Sequence, residues 1–200
     1  MSYSTIRAAF ITITIHLIIP GTPLLLAQDA ITPFSSITAR LSIHRDIDHT
    51  GFHDFWEVGT GLEASLSTPF YLGSVDAGCF NVRFTSREDD VPGFNSLYLF
   101  AGWEETIHLP LRLFLSGGVR CGNYFMDFGA SNEYTHQIRE SELCVSLHTR
   151  LSQKVWKNIG WNISFTRMVI YTHRSIRLNF ISFGASCSFT SPEWLQGLLE

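Results

Sequence analysis

The sequence predicts an all-β fold: an eight-stranded antiparallel up-and-down transmembrane β-barrel with a short C-terminal helix. Three observations predict it. Residues 109–125, LPLRLFLSGGVRCGNYF, alternate with a period of two. Leu111, Leu113, Leu115, Val119 and Cys121 share one parity, and Arg112, Ser116, Gly118, Arg120 and Gly122 the other. That run exceeds the ~5–6 residues of an ordinary strand and meets the ~9–11 that cross a bilayer. Charged residues make up only 16% of the chain and lysine occurs just twice, at Lys154 and Lys157, which is little material for a soluble surface. After the N-terminus no apolar run reaches the ~18 residues of a spanning helix, so half-apolar strands are the remaining way across a membrane.

The N-terminus reads as a secretory signal over residues 1–28. Arg7 supplies the positive start, residues 8–19 an apolar segment, and cleavage is expected after Ala27 or Gln28. The barrel is then assigned to residues 29–189 and a periplasmic helical tail to 190–200. A net charge of −4 without a basic run argues against nucleic-acid binding. The four cysteines show no CxxC or CxxH spacing, so no zinc site is expected. Cys121 and Cys144 fall on opposite parities of neighbouring strands, and no disulfide is expected between them.

Taken in order, the first strand covers 37–45, with Ile37, Ala39, Leu41 and Ile43 opposing Thr38, Arg40, Ser42 and His44. The second, 55–67, sets Trp56, Val58, Leu62, Ala64 and Leu66 against Glu57, Gly59, Gly61, Glu63 and Ser65, and turns at Thr68-Pro69. The third, 72–85, begins with Val75, Ala77 and Cys79 on the apolar face and Asp76 on the other. Its apolar run then shifts to Phe80, Val82 and Phe84, which predicts a β-bulge near Cys79. The fourth, 96–105, alternates Leu97, Leu99, Ala101 and Trp103 against Tyr98, Phe100, Gly102 and Glu104. A turn at 108–110 leads into the fifth strand, 109–125.

The sixth strand, 137–151, sets Leu143, Val145, Leu147 and Leu151 against Glu140, Glu142, Cys144, Ser146, His148 and Arg150. The seventh, 159–171, sets Ile159, Trp161, Ile163 and Phe165 against Gly160, Asn162, Ser164 and Thr166. The eighth, 176–189, sets Phe183, Ala185, Cys187 and Phe189 against Ser182, Gly184, Ser186 and Ser188, and Arg177 is assigned to the polar side. Links after the first, third and fifth strands are longer and more polar than the tight ones after the second and fourth and the moderate one after the sixth, the habit of outer-membrane barrels, although the short link after the seventh breaks the trend. Trp56, Phe70, Tyr71, Trp103, Phe125, Trp156 and Tyr171 fall near strand ends, where aromatic girdles belong.

The polar face is rich in glycine and serine, which suits the narrow lumen of eight strands; a soluble exterior would carry lysine and glutamate. The apolar face is therefore expected outward. The alternative is a soluble lipocalin-like ligand-binding barrel, in which the apolar face lines the interior. With the apolar face outward, Arg40, Glu57, Glu63, Asp76, Glu104, Arg112, Arg120, Glu140, Glu142, His148, Arg150 and Arg177 point into the lumen. Uncompensated charges there would be costly, so a non-conducting ion-pair network is expected, with Arg112 on Glu104 and Arg120 on Glu142 or Glu140.

These features together resemble the small eight-stranded outer-membrane barrels of the OmpA transmembrane domain and OmpX type. The resemblance covers residues 37–189 and includes the terminal apolar strand ISFGASCSF, which is similar to the insertion signal read by the barrel-assembly machinery. It implies a monomer in the bacterial outer membrane with both termini periplasmic. Lipid and lipopolysaccharide are the implied surroundings, and a structural or surface-interaction role through loops 46–54, 87–95 and 127–136 is the implied function. The chain departs from the family by continuing TSPEWLQGLLE. Ser191, Pro192 and Glu193 read as a helix start, and Trp194, Leu195, Leu198 and Leu199 as its apolar stripe. No peptidoglycan-binding domain is expected, so the tethering role of full OmpA is not implied.

His44, Asp46, Asp48, His49, His53 and Asp54 crowd the first loop, HRDIDHTGFHD, and could hold a divalent metal, although no zinc-type spacing supports it. Glu88, Asp89 and Asp90 read as a solvated loop, with calcium shared with lipopolysaccharide as the binding alternative. His173 and Ser175 resemble the His-x-Ser pair of the lipid A deacylase PagL. Here Ile176 replaces the Asn expected after the serine and no acid follows in the eighth strand, so no enzyme and no cofactor are expected.

Overall fold

The structure, a computed structural model, describes residues 33–88, 91–128 and 138–192. The expected signal segment, residues 29–32, Asp89, Asp90, residues 129–137 of the loop before β7 and the tail from Glu193 lie outside the described residues.

The strands are β1 (Ser36–Asp46), β2 (Trp56–Val58), β3 (Gly61–Phe70), β4 (Gly73–Ser86), β5 (Phe94–Leu109), β6 (Leu113–Phe128), β7 (Ile138–Lys154), β8 (Ile159–Tyr171) and β9 (Ile176–Thr190). All pairs are antiparallel. β2 is the upper continuation of β3, so eight strands close into a barrel, with β1 sealed against β9 and β4 against β5. Among the described residues, β1 and β3–β9 each have a neighbour on both sides, and β2 pairs with β4 alone. Ser36 and Thr190 mark the lower rim and the longer loops the upper rim.

The apolar parity points outward and the polar parity inward over most of the wall. Leu41 is 63% exposed and Phe183 61%, whereas Glu104 is 1% and Arg120 2% exposed. Cys144 is buried inside the barrel, whereas Cys121 and Cys187 are exposed on its outside, and all four cysteines are free thiols.

The second strand departs from the expected alternation for a definite reason. Val58 pairs with Phe84 but Leu62 with Asn81, so β2–β3 carries one residue more than β4 over that interval. The surplus is a bulge at Gly59–Thr60, anchored by the Gly59 amide donating to Arg83 O at 2.8 Å. One extra residue exchanges the two faces. Trp56 and Val58 therefore turn inward and pack on buried aromatics, and Glu57 is exposed outside. Trp56 is thus no girdle residue, and Glu57 no lumen charge.

The bulge expected at Cys79 is absent. β4 pairs without interruption with β3, from Leu62–Asn81 to Phe70–Gly73, and with β5 from Ser74–Glu104 to Phe84–Phe94. Phe80, Val82 and Phe84 accordingly continue the inward parity of Asp76 and are buried. The lumen changes character with height: hydroxyls below, charges in the middle, aromatic and aliphatic side chains above.

The lower turns also shift. β3 runs on to Phe70 and turns through Tyr71 and Leu72, and β5 runs on to Leu109. The link to β6 is a one-turn 3-10 segment, Pro110–Arg112, with Leu111 and Arg112 at φ 63° and 59°. Residues 109–125 are therefore a turn followed by a strand.

Candidate functional site: the charged lumen

Six strands deliver eight titratable groups to the middle of the lumen: Arg40 and His44 from β1, Glu63 from β3, Asp76 from β4, Glu104 from β5, Arg120 from β6, and His148 and Arg150 from β7. Two groups form. In the lower one, Arg40 Nη2 donates to Glu104 Oε1 at 2.7 Å, Arg150 Nη1 donates to Glu104 Oε2 at 2.7 Å, and His148 Nε2 lies 3.1 Å from the same Oε2. In the upper one, Arg120 donates through Nε to Asp76 Oδ2 at 2.7 Å and through Nη1 to Glu63 Oε2 at 3.1 Å. His44 Nε2 lies 3.2 Å from that Glu63 oxygen, and the Arg120 guanidinium sits 4.3 Å above the Phe100 ring.

With neutral imidazoles, three guanidinium groups face three carboxylates. That balance is what allows charges into so narrow a space, since one buried charge without a partner costs several kcal/mol. The two groups are not balanced separately. The Glu104 group holds two cations and one anion, and the Arg120 group one cation and two anions.

Glycine makes the reach across strands possible. Asp76 and Arg120 both pair with Gly102, which stands between them on β5. Glu104 and His148 both pair with Gly118 on β6. Ser42 and Asn162 both pair with Gly184 on β9, and the Ser42 hydroxyl donates to Asn162 Oδ1 at 3.4 Å. Each bond passes over a strand that presents no side chain. A Cβ on Gly102 would stand 2.6 Å from both Arg120 Cγ and Asp76 Oδ1. The alternation GxRxG around Arg120 carries this signal in the sequence, although the notion of a spacer requires the register.

Several expected lumen residues lie elsewhere. Arg112 is exposed in the lower turn and does not reach Glu104, whose partners are Arg40, Arg150 and His148. Arg120 bonds forward to β3 and β4 rather than to β7. Glu140 is exposed at the upper end of β7, with Glu142 half-buried beside it. Arg177 is exposed, since it shares the outward parity of Phe183 on β9.

Above the charges the lumen is packed. Phe84 and Phe94 stack at 4.4 Å, and Phe80 meets Phe180 edge-on at 5.2 Å. The Tyr124 hydroxyl donates to Ser96 Oγ at 2.7 Å. From the first loop Phe52 lies against Trp56 at 4.9 Å and Phe84 at 5.5 Å, and Trp56 Nε1 donates to Pro92 O at 3.0 Å. A void of about 10 Å³ beside His44, Glu63, Arg120 and Met168 has room for one water.

Three of the first-loop metal candidates, Asp46, Asp48 and His53, fasten the loop. His53 Nδ1 accepts from the Thr50 amide at 3.1 Å, so its Nε2–H donates to Asp46 Oδ2 at 2.5 Å. Asp48 accepts from Asn179 Nδ2 at 2.9 Å and from the His49 amide at 3.0 Å. His44 belongs to the lumen, not the loop. Among the described residues, Asp76, Glu104 and His148 come within metal-binding spacing, their ligand atoms lying within 4.8 Å of one another. Arg40, Arg120 and Arg150 already bond those carboxylates, so a cation there would meet three positive neighbours. His173 and Ser175 are exposed in the link between β8 and β9.

No family model and no curated protein matches the chain. The solved structures it matches include small eight-stranded outer-membrane β-barrels. Neisserial surface protein A is similar with a TM-score of 0.58 at 10% identity, over 77% of this chain and 96% of that one. OprG, an outer membrane protein from Pseudomonas aeruginosa, gives 0.52 at 9% identity, over 78% and 97%. The N-terminal β-barrel domain of Pseudomonas aeruginosa OprF gives 0.50 at 13% identity, over 78% and 99%. At such identities the likeness establishes a shared fold.

Proposed function

We propose that this protein is a monomeric, integral outer-membrane barrel with a closed lumen and a structural or surface-interaction role carried by its upper loops. The observation that carries the reading is the inverted wall. Leu41, Ile43, Leu62, Leu66, Leu147 and Phe183 are exposed around the outside while Glu104, Arg120 and Asp76 are buried within. In water that arrangement would expose a continuous apolar belt, whereas in a bilayer the belt meets lipid. A soluble lipocalin-like barrel would share the apolar upper lumen but not this exterior.

Residues 1–28 then act as the export signal, and the barrel-assembly machinery inserts the chain with both termini in the periplasm. The upper rim, with loops 46–54, 87–95 and 127–136, faces outward among lipopolysaccharide. The packed aromatics support a plug rather than a pore. Membrane fractionation tests the location: the folded protein is expected to resist a high-salt wash and to require detergent. Release by salt alone would sink the membrane reading. Planar-bilayer recording tests the plug, for which no steady conductance is expected.

A further inference from the structure

Below the charges the lumen opens into a cavity of about 360 Å³ at the lower rim. That volume falls within the roughly 300–1,000 Å³ of small-ligand sites. Its wall is hydroxyl-rich, with Thr38, Ser186 and Ser188 among the lining groups, and Lys154 and Lys157 stand at the same rim. None of the described residues lining it is acidic. Asn162, 1% exposed, lines it too; Ser42 occupies its Oδ1, and its Nδ2 has no partner. Arg40 also lines it, with Nη2 on Glu104 and Nη1 without a partner.

We infer that this cavity is a binding site for a phosphate group, free or on a small sugar or polyol, entering from the lower rim. The two donors without partners, on Asn162 and Arg40, are buried N–H groups that an oxyanion would satisfy. The charge split in the lumen favours the same ligand. The group beside the cavity is the one with two guanidiniums on a single carboxylate, and the anionic surplus lies a rung higher, around Arg120. An anion in the cavity therefore meets a positive roof and a positive mouth. Serine and threonine hydroxyls supply further donors and accept the hydroxyls of a polyol. The inference stands on the lumen alone and does not require the membrane reading.

The test uses the full chain folded in maltoside micelles, which contain no phosphate, titrated with inorganic phosphate, glycerol 3-phosphate or glycerol. The readouts are the NMR shifts of the Asn162 side-chain amide and the Gly160 backbone amide. Saturable shifts with either phosphate compound, and none with glycerol, are expected. Tighter binding of glycerol 3-phosphate would assign the hydroxyl wall to the ligand; equal binding would assign the free ion. Lys157→Glu, an exposed change, is expected to weaken binding about tenfold. Arg40→Gln is expected to abolish it, and if that variant fails to fold the lysine variant decides. Non-saturating shifts, equal shifts with sodium chloride at matched ionic strength, equal binding of glycerol, or an unaffected Lys157→Glu would each overturn the site.

Discussion

The middle and upper tiers of the lumen fill the same eight-stranded cylinder by opposite chemistries. The middle tier closes with three guanidiniums and three carboxylates, each bond directional, and the Asp76–Arg120 and Glu104–His148 contacts each span a glycine rung. The upper tier closes with stacked and edge-on rings whose fit depends on volume. The tiers should therefore fail differently. An ionic plug fails when the count of charges is changed, even at constant shape. An aromatic plug fails when volume is removed, even at constant charge.

Glu104→Gln is the sharpest way to break the first. It keeps the shape but leaves Arg40 and Arg150 without their carboxylate. A loss of about 3–5 kcal/mol is expected, the range for removing one partner of a buried pair. The midpoint of urea unfolding from micelles measures it. Glu63→Gln should cost less, because Arg120 retains Asp76; equal losses would mean that the two groups act as one unit.

Phe180→Ala tests the second tier. The ring is fully buried against Phe80 and near His44, at 5.2 and 6.2 Å. The expected loss is about 3 kcal/mol, the lower end for a buried Phe→Ala change. Well under ~1 kcal/mol would mean that the rings are loosely packed and the tier is no plug. Gly102→Ala probes the spacer between Asp76 and Arg120. Its added Cβ would press on both partners, with an expected cost of about 1–3 kcal/mol. The same change at Gly117, whose nearest prospective contact is 3.9 Å away, should be near neutral and serves as the control.

The difference between the tiers also explains what could be read from the sequence. Alternation placed eight strands and put Glu63, Asp76, Glu104, Arg120, His148 and Arg150 on one face, because side-chain direction in a strand follows from parity alone. Partners did not follow, because they depend on register and on which strands close the barrel. Arg120 faces β7 on one side, yet its carboxylates come from β3 and β4 across Gly102. The aromatic tier was hidden by the assumption that a lumen face stays polar. With that assumption Phe80, Val82 and Phe84 demand a bulge in their own strand. The register instead puts the bulge in the neighbouring strand, at Gly59–Thr60. Glycine within an apparent strand at Gly59 and Gly61 was the available sign.

The smallest expected effect lies outside both tiers, in the turn that takes Arg112 out of the lumen. Leu111 and Arg112 both have positive φ, 63° and 59°, and the Leu113 amide closes the turn on Pro110 O. Two positive-φ central residues are the backbone of a type I′ turn, which favours Asn-Gly. An L-residue in this region costs roughly 1–2 kcal/mol. Leu111 is 81% exposed, so its replacement removes little packing. The double change Leu111→Asn with Arg112→Gly should therefore stabilise the barrel by about 1 kcal/mol, part of the relief being offset by the greater freedom of glycine in the unfolded chain. Because neither side chain reaches the lumen, the gain should appear equally in the wild-type, Glu104→Gln and Phe180→Ala backgrounds. A gain that disappears only with Glu104→Gln would mean that the turn and the charged tier are coupled, and that Arg112 acts on Glu104 after all.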